Sequence, residues 1–276
     1  MLAMFIYGTS GIVRKLVPLS SCVTAVGRAI IAVVFLLVFL KITGRKIDFS
    51  AIRRNLLQLI VGGFLLGFNW VLLFEAYAYT TVAKATLCYY MAPVIVILLT
   101  PLIFHDKLTN RQICCIAVAA LGMVLVSGVL QDTGASDWKG IALGLAAALF
   151  YAGIIISNKF MKDISPYDST LGQFIVCIVF ITAYTLLTEE ITLQMFTPQA
   201  LLPLLWMGIV NTGISYVLYY GSIAKLETQI LALYSYIDPV VACILSALLL
   251  KESMTVSGII GAILIIGSLI FSELKT

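Results

Sequence analysis

Three ionisable side chains lie inside long apolar stretches of the chain: Arg28, Glu75 and Asp238. A charged group at membrane depth costs a few kcal/mol and marks a functional site by default. Asp238 lies about ten residues into an apolar stretch over 228–250, or roughly 15 Å deep at 1.5 Å per residue. Pro239 follows it and tends to open the preceding turn, which frees carbonyl groups for a solute. We predict that Asp238 binds a substrate ammonium group or a coupling proton; the alternative is a structural carboxylate, neutralised by a neighbour or protonated.

Arg28 and Glu75 lie at similar depths in consecutive apolar stretches, near the same predicted membrane face. This placement predicts an ion pair between them, either as a structural tie between adjacent helices or as an outer gate. Lys15 and Lys84 are alternative partners for Glu75. We favour the structural tie.

Side-chain amides and aromatic rings supply the remaining candidates for a binding site. Asn69 and Asn211 are expected to point inward, because an amide in hydrocarbon must find a partner, and either solute binding or a bridge between helices would provide one. Tyr234 precedes Asp238 by one helical turn and could flank the same solute. Tyr216 and Tyr220 could also line a cavity, whereas Tyr77, Tyr79 and Trp138 are expected near the membrane interfaces. The predicted substrate-binding residues are Tyr7, Asn69, Trp70, Tyr89, Tyr90, Tyr151, Asn211, Ser215, Tyr234, Tyr236 and Asp238.

The composition sets the class of protein that must position these groups. Of 276 residues, 62% are hydrophobic and 11% are charged, with a mean hydropathy of +1.10, which excludes a water-soluble globule. Ten membrane-spanning helices of about 20 residues each would leave no room for a separate soluble domain. The N-terminal stretch is interpreted as the first span and not as a removed leader. The predicted spans are 1–17, 22–42, 56–78, 82–104, 111–131, 139–158, 169–188, 200–222, 228–250 and 256–273.

An internal repeat divides the chain into two halves, 1–131 and 139–273. Shifting the sequence by 146 residues aligns Tyr90 with Tyr236 and the Pro93-Val94 pair with Pro239-Val240. Each repeat has about five helices, and an odd number requires the second unit to enter the membrane from the opposite side. Inverted repeats are typical of alternating access, with a substrate site near the midplane.

The distribution of basic residues predicts the orientation. A cluster from Lys41 to Arg54 follows the second span, whereas its counterpart after the seventh span carries Glu189 and Glu190. By the positive-inside rule, both termini are expected on the cytoplasmic side of the cytoplasmic membrane.

The segments 67–80, 89–94 and 105–109 recur as second copies at 234–240 and 250–255, and Arg28 lies in the second span. Together they resemble the drug/metabolite transporter superfamily in its EamA-like branch. It implies a ten-helix basket of two inverted five-helix repeats around a central cavity lined by the first four helices of each half. It also implies transport of small organic solutes such as amino acids. The sequence departs from the family pattern at Asp238, where the residue before the proline is generally uncharged.

Other functional classes lack their signatures in this sequence. The single histidine, His105, falls in a predicted turn, and no zinc-protease, serine-hydrolase or paired-aspartate motif occurs, so no enzyme is expected. Neither a metal nor any other cofactor is expected, and a net charge of +4 does not favour nucleic acid. We predict a secondary transporter that exports an amino acid, an amine or a related solute by alternating access, with protons as a candidate coupling ion. A passive channel and a membrane scaffold or sensor remain alternatives.

Overall fold

A computed structural model describes residues 1–105, 108–127, 135–223 and 234–273, and over these residues the chain forms helices and connecting loops without a strand. The prediction of an all-α fold is confirmed. The α-helices are α1 (Leu2–Gly8), α2 (Ser10–Leu16), α3 (Ser21–Ile42), α4 (Phe49–Arg54), α5 (Leu56–Tyr79), α6 (Val82–Tyr89), α7 (Ala92–Phe104), α8 (Asn110–Ser127), α9 (Ala135–Lys159), α10 (Pro166–Thr188), α11 (Pro198–Gly208), α12 (Ser215–Ile223), α13 (Ile237–Leu249) and α14 (Val256–Glu273). A π-helical segment, Ile209–Ile214, joins α11 to α12, and a 3₁₀ turn covers Leu193–Met195.

Each predicted span coincides with a helical segment. Six helical runs among the described residues are long and apolar enough to cross a membrane, and three shorter apolar helices accompany them. The first predicted span is divided between α1 and α2. The end of the fifth predicted span, 128–131, and the start of the ninth, 228–233, lie outside the described residues. The chain is therefore a polytopic membrane protein.

Short polar side chains fix where several spans begin. The side-chain oxygens of Ser20, Thr81 and Ser165 accept hydrogen bonds from the backbone amides of Val23, Lys84 and Asp168, at the starts of α3, α6 and α10. Such caps satisfy amides that have no partner within the helix. The loops that connect the spans lie at the two ends of the bundle. We call the end with loops 43–48 and 160–165 the basic end, and the end with loops 17–20, 80–81, 189–197 and 250–255 the far end.

The packing of the helices follows the repeat. In the first half, α1 packs on α12 and α13, the third and fourth spans of the second half. Reciprocally, α9 packs on α5, α6 and α7, the third and fourth spans of the first half. The second spans, α3 and α10, contact each other, and so do the fifth spans, α8 and α14. Exchanging the two halves therefore reproduces the arrangement, as two inverted five-helix repeats predict.

Three of the membrane spans around the bundle centre are interrupted or irregular. The break between α1 and α2 falls at Thr9, where Asn211 Nδ2 donates to Ile6 O and to Thr9 Oγ1, each over 2.7 Å. A second break separates α6 from α7 at Tyr90 and Met91. The π-helical segment is the third irregularity. Irregular backbone at membrane depth requires polar partners or a cavity, so these positions point to the functional centre.

Pro239 lies in the first turn of α13, which begins at Ile237 after a turn at Tyr236. The helix opening expected near this proline therefore falls just before Asp238, not within the helix. Proline is favoured in a first turn because its missing amide would have no partner there. As a result, Asp238 lies at a helix N-terminus, where the helix dipole stabilises a negative charge.

Candidate functional site

A cavity of about 450 Å³ occupies the centre of the bundle. Its lining comes from α1, α2, α3, α5 and α6 of the first half, and from α9, α10, α12 and α13 of the second. These are the first four spans of each half. Among the residues singled out from the sequence, the lining includes Tyr7, Arg28, Trp70, Tyr89, Tyr90, Tyr151, Tyr216, Tyr220 and Asp238.

Asp238 presents its carboxylate to this cavity. Tyr90 Oη donates a hydrogen bond to Asp238 Oδ2 over 2.7 Å, and the same hydroxyl lies 3.2 Å from Ser235 O. Neither of the two ion pairs in the described ranges involves Asp238. The carboxylate therefore keeps acceptor capacity for a cationic group that enters the cavity.

Arg28 is 6% exposed and lines the same cavity. Its Nε donates to Thr212 Oγ1 over 2.6 Å, and the guanidinium carbon lies 4.2 Å from the centroid of the Trp70 ring. A hydrogen bond and a cation–π contact thus hold the guanidinium between α5 and the π-helical segment.

The structure does not form the predicted ion pair between Arg28 and Glu75. Glu75 Oε2 instead accepts a hydrogen bond from Ser21 Oγ over 2.7 Å. Arg28 contacts Trp70, which precedes Glu75 by five residues on the same helix. At 3.6 residues per turn these two positions are about 140° apart around α5. The rotation of α5 therefore directs Glu75 away from Arg28.

Aromatic rings enclose the cavity from both halves. The rings of Tyr89 and Tyr151 are stacked with their centroids 4.9 Å apart and their planes at 13°. Tyr7 and Tyr216 form an edge-to-face pair at 5.7 Å. Tyrosine faces attract cations and the hydroxyls form hydrogen bonds, so this lining suits an organic solute with a cationic group.

Five of the residues predicted to bind substrate lie outside the lining. Asn69 Nδ2 donates to Ala147 O over 2.7 Å and thereby bridges α5 and α9. Asn211 bridges to the break at Thr9, and Ser215 Oγ donates to Asn211 O. Tyr236 is buried in an apolar cluster, and Tyr234 is partly buried. For Asn69 and Asn211, the structure favours a bridge between helices over a solute contact.

The cavity also contains polar residues that the sequence reasoning missed. Gln173 Nε2 donates to Asn158 Oδ1 over 2.6 Å, and the hydroxyls of Thr170 and Tyr220 are 2.6 Å apart. Gln173 could have been found, because it is an amide within the predicted seventh span. Tyr77, expected at a membrane interface, is buried in the lining instead.

The cavity is exposed at the basic end and sealed at the far end. Towards the basic end Asn158 is exposed and Tyr220 is partly buried, whereas the lining residues nearest the far end, Gly11 and Tyr77, are buried. A Cβ atom on Gly11 would lie only 2.4 Å from Val82 Cγ1, so α2 and α6 are in close contact.

Two ion pairs reinforce the seal at the far end. Lys15 Nζ lies 2.6 Å from Glu252 Oε1, while Glu252 Oε2 accepts hydrogen bonds from Val82 N over 2.8 Å and Ser246 Oγ over 2.5 Å. Lys84 Nζ lies 2.5 Å from Asp137 Oδ2. The first pair joins α2 to the loop after α13, and the second joins α6 to the start of α9, so both connect first-half helices to segments of the second five-helix unit at this end.

Comparisons with known proteins agree with this architecture. The family model described as EamA-like transporter family matches the chain twice, over residues 1–128 and 138–274. The chain is 31% identical over 252 residues to the uncharacterised transporter YxxF of Bacillus subtilis (strain 168), covering 88% of this chain and 78% of that protein. It is 28% identical over 176 residues to a probable amino-acid metabolite efflux pump of Salmonella typhimurium, covering 60% of this chain and 59% of that protein.

A solved crystal structure has the same fold. It superposes with a TM-score of 0.70 at 16% sequence identity, over 98% of this chain and 94% of the other. At this identity the likeness concerns the fold alone. The family matches, the polytopic helical bundle and the central cavity together show that the chain belongs to the EamA-like transporter family and is a membrane transporter, not an enzyme.

Proposed function

We propose that the protein exports a small organic solute with an ammonium group across the cytoplasmic membrane by alternating access. The observation that carries the proposal is Asp238, which lines a cavity between the two halves with Tyr90 as its side-chain hydrogen-bond partner. The named amino-acid metabolite efflux pump among the relatives supports this class of solute.

Alternating access is supported by the contrast between the two ends of the cavity. The lining is exposed at the basic end, while ion pairs and the Gly11–Val82 contact close the far end. The two matches of the family model fit repeats over 1–131 and 139–273. If the two repeats exchange their conformations, the far end opens as the basic end closes. The cavity then faces the opposite side of the membrane. The basic residues in these loops support a cytoplasmic location for the basic end and for both termini.

The aromatic lining supports selection of a cationic group. Asp238 supplies the negative charge. Tyr89, Tyr90 and Tyr151 line the same cavity, and the ring faces that the Tyr89–Tyr151 stack leaves uncovered supply cation–π attraction. A proton is the second cation that such a carboxylate binds. Competition between a proton and the ammonium group at Asp238 would couple solute movement to a proton gradient.

Counterflow in proteoliposomes tests this function. Vesicles are loaded with a mixed pool of amino acids and small amines, and labelled members of the pool are supplied outside. We expect transient tracer accumulation in wild type, its loss in Asp238→Asn, and its retention in Asp163→Asn, which changes an exposed loop carboxylate. The unfolding temperature of each variant reports whether it is folded.

Each outcome of this experiment discriminates between functions. A channel equilibrates the tracer without transient accumulation, and a scaffold or sensor does not move it. Either result overturns the proposal. If a folded Asp238→Asn variant retains wild-type uptake with the same pH dependence, the role assigned to this carboxylate and the proton coupling are both wrong.

A further inference from the structure

We propose that Arg28 is the anion-binding subsite of the cavity, so that the transported solute is a zwitterion whose carboxylate binds Arg28 while its ammonium group binds Asp238. This inference rests on the proposed function and extends it from a cationic group to a solute with two opposite charges.

The first observation is that Arg28 lacks a carboxylate partner. It is 94% buried, and the two ion pairs found in the described part of the chain use other residues. Glu75, the carboxylate expected to neutralise it, is hydrogen-bonded to Ser21. A buried guanidinium without an opposite charge is costly, and an entering carboxylate would remove this cost.

The second observation is the orientation of the guanidinium. Thr212 accepts its Nε hydrogen bond, and Trp70 covers one face of its plane. Neither of the two terminal nitrogens has a hydrogen bond to any described residue. These nitrogens carry the paired donors that bind a carboxylate in a bidentate manner, and Trp70 and Thr212 hold them in a fixed plane.

The third observation is that Arg28 and Asp238 face one cavity without pairing with each other. A simple amine would leave Arg28 without a counter-charge, and a simple carboxylic acid would leave Asp238 without one. Only a solute with both groups neutralises both residues.

The test compares three tracer pools in the same proteoliposome counterflow assay. One contains amino acids, one the corresponding decarboxylated amines, and one the corresponding deaminated carboxylic acids. For wild type we expect counterflow of the amino-acid pool at least tenfold faster than that of either other pool. Arg28→Gln is expected to slow the amino-acid pool at least tenfold and to speed up the amine pool, because the variant removes the buried positive charge that an amine leaves without a partner. Arg28→Lys keeps the charge without the paired donors, so its rate of amino-acid counterflow is expected to lie between those of wild type and Arg28→Gln.

A second variant separates binding from folding. Thr212→Val removes the hydrogen bond that orients Arg28 and keeps the charge, so it should reduce counterflow of the amino-acid pool several-fold more than counterflow of the amine pool. A merely structural Arg28 would lower the unfolding temperature and slow all pools equally, which would overturn the inference. Equal wild-type rates for amines and amino acids would also overturn it while leaving the proposed function intact. An absence of counterflow with every pool would refute the proposed function itself.

Discussion

Glu252 and Lys15 form an ion pair of 2.6 Å that joins the loop after α13, in the second half, to the end of α2, in the first. The second carboxylate oxygen of Glu252 binds the backbone amide of Val82, at the start of α6. One side chain thus connects three segments at the far end. Because these segments belong to opposite halves, opening of the far end in the proposed transport cycle would break these contacts.

The Glu252 contacts predict a measurable change in access to the cavity. Glu252→Gln should increase the fraction of molecules open at the far end about fivefold, since a partly exposed ion pair contributes about 1 kcal/mol. The measurement is the labelling rate of a thiol introduced by Ser10→Cys, in the cavity lining, when intact cells receive a membrane-impermeant maleimide. Mass spectrometry of the peptides distinguishes label on this introduced cysteine from label on the native cysteines. Glu190→Gln, an exposed far-end carboxylate, is the control, and equal labelling in both variants would contradict the prediction.

The contact between Gly8 and α13 predicts a steric effect on Asp238. A Cβ atom at Gly8 would lie 2.7 Å from both Asp238 O and Val241 Cβ, so Gly8→Ala must displace the first turn of α13. We expect slower counterflow and a lower unfolding temperature. Gly267→Ala is the matched control, because no atom lies within 4 Å of its added Cβ and alanine favours the helix. Normal transport by Gly8→Ala would show that this contact does not position Asp238.

Asn69 is predicted to act on stability and not on solute binding. Its amide donates to Ala147 O and crosslinks α5 to α9. Asn69→Ala should lower the free energy of unfolding by about 0.6 to 2 kcal/mol, in the range of interhelical hydrogen bonds within membranes. Thermal unfolding in detergent measures the loss, and counterflow titrations measure the apparent affinity. A lower affinity at unchanged stability would place Asn69 at the solute after all.

The stacked pair of Tyr89 and Tyr151 provides a test of the aromatic lining. No hydrogen bond of either hydroxyl accompanies the stacking in the described structure, so the ring faces carry the interaction. Tyr151→Phe should keep the apparent affinity within twofold, whereas Tyr151→Ala should weaken it about two- to tenfold. Counterflow at several tracer concentrations gives both values. Equal effects of the two substitutions would instead assign the role to the hydroxyl.

Patterns of hydropathy and repetition predicted the fold. A membrane span requires a long apolar run, and a structural repeat is visible as residues that match at a constant offset along the chain. The charged and aromatic cavity residues, such as Asp238 and Tyr7, were predictable because their cost in hydrocarbon implies a polar environment. The partner of Arg28 was not predictable, because it depends on the rotation of α5 about its own axis.

Tyr90 and Tyr236 show a second limit of prediction from the repeat. They are equivalent in sequence, yet Tyr90 binds Asp238 while Tyr236 is buried in an apolar cluster. The residue of the first repeat that corresponds to Asp238 is Ala92, which offers no carboxylate to a tyrosine. A repeat predicts equivalent positions but not equivalent partners once one copy has changed.

The contact between Arg28 and Trp70 also gives the protein an optical reporter. Of the three tryptophans, Trp70 is 5% exposed and lines the cavity, while Trp138 and Trp206 are 43% and 53% exposed. Replacing the two exposed residues by phenylalanine would leave one indole, with a guanidinium 4.2 Å from its ring centroid. A carboxylate that approaches Arg28 changes the electric field across this ring and should shift its fluorescence emission. Solute occupancy could then be followed in real time, without an attached dye.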